Sequence, residues 1–375
     1  MKIAFVVNEI RLDGIAVYCA RLARELPCEV VLITSANSLP DDEDVRWIIE
    51  SFDEVVMNPD PVCKLSLRNI NGLAKLFRSH KIDVIHVHEL HLLKTISPAA
   101  KLARISLVGT SHLASAGSSK WNQTSKKIFA MGLSRFLCDR YFAISTEIKN
   151  DFLNIYRIHP SQIRMTLPGI DVEHFRPATA DERRTAREAF GLRDDELVIL
   201  QVGRLADVKQ PLLTLDAFEA FLKSNPSIVA KLLFAGTGPL QTEIENQIRE
   251  RKLEDRVNLL GFVDAREAFW AADVMALPSD VEGCALVAIE AMACGVVPIR
   301  SMVGGYLDQI ADGVNGYGIE PRDHQALTGK FESLIDTAQR QVISQAALTT
   351  AREKFDIRGM GDTIYQAYRE VSRAS

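Results

Sequence analysis

Apolar runs of four to six residues recur along the chain, separated by polar, glycine- and proline-bearing stretches or by segments with helical spacing. The first series of runs reads as strands 3–7, 30–34, 84–87, 106–110, 141–144 and 164–167. A second series follows at 198–202, 231–235, 257–260, 274–277, 296–300 and 316–319. Strands that alternate with helices predict parallel sheets covered on both faces, so the fold class is α/β with two sheets. Between the series, Leu167-Pro168-Gly169 through Arg176-Pro177 interrupts any regular element. The expected domains are therefore 1–177 and 178–355, and the closing segment 356–375 has the apolar spacing of a helix over 357–371.

Composition narrows the class. A chain of 375 residues is long for one core, since domains average ~150 residues. Cys19, Cys28, Cys63, Cys138, Cys284 and Cys294 show no close metal-type pairing and several sit in apolar patterns, which fits a reducing compartment better than a disulfide framework. The apolar start is too short for a signal-peptide core, and no run approaches the ~20 residues that span a bilayer. The reading is a cytoplasmic enzyme. The net charge of −5 hides a basic region: between His91 and Arg164 stand eleven Lys and Arg against three acidic residues. Apolar Ile128, Phe129, Met131, Leu133, Phe136 and Leu137 lie among the bases Lys120, Lys126, Lys127 and Arg135. A solvated face of a core helix is the favoured reading of segment 94–164, and peripheral contact with the inner membrane face is the other. No stacking array or nucleic-acid motif accompanies the charge, which argues against nucleic acid as a partner.

The chemistry concentrates in Pro278-Ser-Asp-Val-Glu282-Gly-Cys-Ala-Leu-Val-Ala-Ile-Glu290-Ala-Met-Ala-Cys-Gly295. Pro278, Ser279 and Gly283 mark a loop and the apolar residues after it a helix, so Glu282 is expected in the loop and Glu290 in the helix. A helix N-terminus suits phosphate, and carboxylates accept hydrogen bonds from sugar hydroxyls. Together they describe a sugar nucleotide. Upstream, Arg204 and Lys209 follow the strand 198–202, where a guanidinium fork and a mobile ammonium can reach one diphosphate. His86 and His88 alternate onto one strand face, which raises a zinc site; it is set aside in favour of His88 as an acceptor-side candidate. Gly236-Thr-Gly238 superficially suggests a dinucleotide turn, but Gly14 belongs to no G-x-G-x-x-G sequence.

The 278–295 run resembles the E-x7-E signature of retaining glycosyltransferases of family 4, which have the GT-B fold of two facing Rossmann-like domains with a cleft between them. Gly14-Ile15 after the first strand, Gly203-Arg204-Leu with Lys209, Gly236-Thr-Gly238-Pro239, Gly261-Phe262 and Ala272-Asp273 are similar to further parts of that family. The resemblance implies an acceptor-side N-terminal domain, a nucleotide-sugar-binding C-terminal domain and a last helix crossing back to the first. It assigns Glu290 to ribose, Glu282 to the transferred sugar, and Gly14 and the backbone of Gly283, Cys284, Ala285 and Leu286 to the donor. His112, ending a strand in Gly109-Thr-Ser-His112, resembles the family's catalytic histidine, and Asp13 becomes an acceptor candidate. Retention through a front-face route is implied, with no metal or cofactor and a nucleotide-diphosphate sugar, UDP-sugar by preference, as co-substrate. The implied acceptor is a glycan, a lipid-linked saccharide or a natural product. Departures fall at Asp13, Gln210, Gly169 and Ala285, and bear on specificity more than on reaction class. Two other functions remain alternatives: a non-catalytic sugar-nucleotide-binding subunit, and a dinucleotide-dependent oxidoreductase.

Overall fold

In the computed structural model the described residues are 1–10, 14–36, 46–112 and 138–373. The chain divides into two compact units, Met1–Gly169 with Ile357–Ser375, and Ile170–Asp356. The units part at Gly169, ahead of Pro177.

The first unit is built on seven strands: β1 (Lys2–Val6), β2 (Glu29–Ser35), β3 (Glu54–Asn58), β4 (Val84–Val87), β5 (Ser106–Ser111), β6 (Arg140–Ala143) and β7 (Ile163–Met165). They lie in the order β3-β2-β1-β4-β5-β6-β7, and every pair is parallel. Continuous apolar runs such as Ile3–Val6 and Val30–Ile33 are wholly buried, as expected where helices cover both faces of a sheet. The strand β3 is absent from the hydrophobic reading of the sequence. It is an edge strand with little fully buried surface and an exposed Met57, so its apolar signal is weak.

The closing helix Ile357–Arg373 belongs to this unit. It turns Met360, Ile364, Ala367, Tyr368 and Val371 into the core. Glu370, on the same helix, accepts from both Arg140 and Arg164 at 2.9 Å. Two cations of the basic region therefore already have a carboxylate. Lys120, Lys126, Lys127 and Arg135, with the apolar residues around them from Ile128 to Leu137, lie outside the described residues. Among the described residues no helix is long and apolar enough to cross a membrane.

The second unit carries β8 (Leu197–Val202), β9 (Ala230–Ala235), β10 (Val257–Gly261), β11 (Val274–Leu277), β12 (Val297–Ser301) and β13 (Tyr317–Ile319). Their order is β10-β9-β8-β11-β12-β13, again all parallel. Ile199, Leu232, Phe234, Val274, Ala276 and Ile299 form the sheet's share of one buried core with Phe218, Phe221 and Phe331 from the covering helices. Helix starts carry their own chemistry: Thr179 and Glu182 form a reciprocal capping box before Ala180–Ala189. Both units are Rossmann-like parallel sheets. The loops that follow β8 to β12 all leave from the same edge of the sheet, which is where open parallel sheets present ligand sites.

Candidate functional site

At that edge the loops are laced together through their backbones. Gly236 donates to the Gly261 carbonyl at 2.7 Å, Leu205 to Thr237 at 2.9 Å, and Leu240 to Leu205 at 3.0 Å. A Cβ at Gly236 would collide with the Gly203 carbonyl, and both residues have positive φ, 140° and 134°. Only glycine lets the two turns approach so closely. Arg204 projects from this lattice into solvent.

The loop after β11 joins the same assembly. Asp280 donates its backbone N–H to the Val208 carbonyl at 2.9 Å, while its carboxylate accepts from Gln210 at 3.0 Å and from Arg322 at 3.0 and 2.7 Å. The Arg322 guanidinium above all, with the Gln210 amide adding a hydrogen bond, holds the Asp280 carboxyl below its ordinary range. Gln201 ties the Lys209 carbonyl back to β8 at 2.8 Å. Beside the Arg322–Asp280 pair stands a second ion pair: Lys209 Nζ donates to Glu282 Oε1 at 2.6 Å, with the Glu282 side chain 10% exposed. Glu282 stands in the loop and Glu290 inside the helix Leu286–Ala293, where it is buried. Ala285 is that helix's N-cap and makes no side-chain cap, leaving the first-turn N–H groups to other acceptors.

The structure thus brings together Lys209, Glu282 and the segment Gly283, Cys284, Ala285 and Leu286, residues spread over 78 positions of sequence, counted from Lys209 to Leu286 inclusive. The Arg204 side chain makes no hydrogen bond or ion pair among the described residues, and it does not share the Lys209–Glu282 contact.

In the first unit the histidines form their own cluster. His86, fully buried, shares hydrogen bonds with the Tyr368 hydroxyl and with Thr110 Oγ1 at 2.7 Å. His88 Nδ1 lies 3.3 Å from His112 Nε2, and the His86 and His88 rings stack with centroids 4.0 Å apart. Burial pushes all three imidazoles down, His112 to about 3. With both ring nitrogens of His86 engaged by hydroxyls, it is poorly placed as a metal ligand. Among the described residues no group of three His, Cys, Asp or Glu could hold a metal ion. Gly14 opens the helix Gly14–Glu25 with open space around it, and Asp13 lies outside the described residues.

Two family models divide the chain between them. The Glycosyltransferase Family 4 model matches residues 12–174, and the model for Glycosyl transferases group 1 matches residues 182–349. The chain belongs to the family 4-type glycosyltransferases. It is 26% identical, over 98% of its own length and 98% of the relative's, to an uncharacterized glycosyltransferase of Methanocaldococcus jannaschii. It is 32% identical to D-inositol 3-phosphate glycosyltransferase 2 of Catenulispora acidiphila, over 54% of this chain and 49% of that one; the match spans about half that relative's length. Anabaena Alr3699/HepE, solved in complex with UDP and glucose, superposes with a TM-score of 0.83 at 22% identity, over 98% of this chain and 99% of that one. The fold is GT-B.

For this glycosyltransferase the sequence reading passed over the polar residues that brace the site. Asp280 lies within the 278–295 run and Gln210 is a departure from the family pattern, but neither was given a bracing role, and Arg322 belongs to no motif. Arg300 offered a signal, a charge within the apolar run of β12, which the structure resolves as a buried guanidinium.

Proposed function

We propose that the chain is a retaining hexosyltransferase that moves a sugar from a UDP-sugar to a saccharide, lipid-linked or natural-product acceptor. The observation that carries this is the Lys209–Glu282 contact of 2.6 Å, which puts a phosphate-type cation and a sugar-type carboxylate side by side on the loop edge of the second sheet. The UDP and glucose in the Anabaena structure support the choice of donor. In this reading Arg204 and Lys209 neutralise the departing diphosphate, the N-terminus of Leu286–Ala293 adds its dipole, Glu290 accepts from the ribose, and Glu282 accepts from the transferred sugar.

As the bond from the anomeric carbon to the phosphate oxygen breaks, the acceptor oxygen forms its bond on the same face, and the acceptor proton passes to the departing phosphate. The pairing of Glu282 with Lys209 favours this front-face route over attack by Glu282 itself, because a carboxylate oxygen bound to an ammonium is a weakened nucleophile. His112 is proposed to act at the reacting centre and Gly14 to contact the donor, with His88 and Asp13 on the acceptor side. The two cations supply the charge neutralisation, so chelation is expected to leave transfer intact.

Arg204→Ala and Lys209→Ala test the assignment. Each should lower affinity for UDP-glucose by roughly 10- to 100-fold, the worth of a hydrogen bond to a charged group, as read by calorimetry on protein with unchanged circular dichroism. Parental affinity in both variants would overturn the diphosphate assignment.

A further inference from the structure

Arg300 is wholly buried near the end of β12, between the core residues Val297 and Ile299 on one side and the loop 302–305 on the other. Its guanidinium donates to Gln309 Oε1, to the Val303 carbonyl at 2.8 Å and to the Gly304 carbonyl at 2.7 Å. Gln309 is itself 1% exposed. Its amide nitrogen donates to the Ala285 carbonyl and to Cys284 Sγ, both at 3.1 Å, and its own carbonyl accepts from Asn315 at 3.1 Å. A continuous run of hydrogen bonds therefore leads from the sheet, through two buried side chains, to the loop that carries Glu282.

The same loops meet backbone to backbone. A Cβ at Gly304 would overlap the Glu282 carbonyl, and one at Gly305 would come within 3.0 Å of Cys284 Cα. That contact is close but not directional. Taking a guanidinium out of water costs several kcal/mol even after relaxation, and an apolar residue in β12 would avoid that cost. What an apolar residue cannot do is fix the spacing and tilt of the neighbouring loop through directed bonds.

We propose that Arg300 and Gln309 are positioning residues: through the Gln309 amide they hold the 282–285 loop at the depth that aims the Glu282 carboxylate at the transferred sugar. The proposal rests on the donor-site reading of Glu282 given above.

The informative variant is Gln309→Glu. Its carboxylate keeps an acceptor for Arg300, so the buried charge stays partnered, but it has no N–H for Ala285 or Cys284. Arg300→Met/Gln309→Leu removes both polar partners together and leaves no buried charge, which keeps the test alive if the first variant folds poorly. Two readouts apply to each. Alkylation of Cys284 by iodoacetamide, mapped by mass spectrometry without any nucleotide, should speed up about tenfold, the effect of losing ~1.4 kcal/mol of loop restraint. Calorimetry with UDP and UDP-glucose should show UDP affinity held within about twofold while UDP-glucose affinity falls about tenfold. A general loss of fold would move both nucleotides together. Unchanged Cys284 alkylation with an unchanged ratio of the two affinities, in both variants, overturns the proposal. Faster alkylation in the variants, with a parental protein that binds neither nucleotide, upholds the tether and removes the donor reading instead.

Discussion

Of three clustered imidazoles, His86 and His88 are wholly buried and His112 is half-buried, and the loss of hydration favours the neutral ring in each. The chief cause is burial in each case, with the neighbouring histidines adding to it for His86 and His88. For His112 the ordinary value of 6.5 falls to about 3. Between those limits the unfolded chain binds more protons than the folded one, so stability is complete above pH 6.5 and is lost as the pH falls towards 3. His112 alone contributes a slope of about 1.4 kcal/mol per pH unit in that window, and His86 and His88 act in the same direction. Urea unfolding of the first unit at pH 7.5 and 5.5 should therefore show a loss of at least ~1 kcal/mol; equal stabilities at the two values would mean the cluster is hydrated. The two glutamates call for a different measurement. With Glu282 at the sugar and Glu290 at the ribose, Glu282→Gln should slow single-turnover transfer by at least ~10-fold with little change in UDP affinity, because its contact strengthens as positive charge grows at the anomeric carbon. Glu290→Gln should weaken UDP itself. Transfer at the parental rate in Glu282→Gln would reduce that residue to the partner of Lys209 and nothing more.

At the scale of the element, one side chain anchors a helix to the segments that lead into β8 and β11. Arg187, on Ala180–Ala189 and 2% exposed, donates to the carbonyls of Ala271, Arg193, Asp194 and Glu196, and pairs with Asp273 at 3.0 Å. Asp273 in turn accepts from the Val198 N–H at 2.9 Å and from Arg183 at 2.7 Å. Breaking a buried pair from one side costs about 3–5 kcal/mol. Arg183 still partners Asp273, so Arg187→Ala should fall near 3 kcal/mol by chemical denaturation, and a cost below ~1 kcal/mol would show the network to be redundant. This kind of tie is what the sequence conceals. Strand positions were legible because parallel strands buried on both faces are apolar runs, as at Val30–Ile33 and Val274–Leu277, whereas edge strand β3, flanked by Asp53 and Pro59, has a weaker signal. The placement of Glu282 in a loop and Glu290 in a helix followed from Pro278, Ser279 and Gly283 and from the apolar residues Val287, Ala288 and Ile289 after them. The contact of Lys209 with Glu282 was not legible, since it joins loops from two strands that are neighbours only in the folded sheet. Nor was Gln309, whose role depends on the loop its amide reaches.

For the molecule as a whole, the consequence of two cores is two separate responses. Each unit has its own parallel sheet and its own helices, and the first is completed by the last stretch of chain. Ile357–Arg373 supplies Tyr368, fully buried against His86 and Phe142, and the Val371 carbonyl that accepts from Ser106 at 3.0 Å. Truncating a buried aromatic costs about 3–5 kcal/mol in lost transfer energy and residual cavity. Tyr368→Ala also leaves one nitrogen of His86 without its hydroxyl, which places the cost at the upper end. The loops carrying Arg204, Lys209 and Glu282, proposed for the diphosphate and sugar, belong to the second unit. UDP binding there raises stability by RT ln(1 + [L]/Kd), about 2.7 kcal/mol at a hundredfold excess over Kd. Calorimetric unfolding should consequently resolve two transitions, one lowered by Tyr368→Ala and indifferent to UDP, the other raised by UDP and indifferent to Tyr368→Ala. If a single transition moved with both perturbations, the units would be one cooperative body; if UDP raised only the transition that Tyr368→Ala lowers, the donor site would lie with the first sheet and not with Lys209 and Glu282.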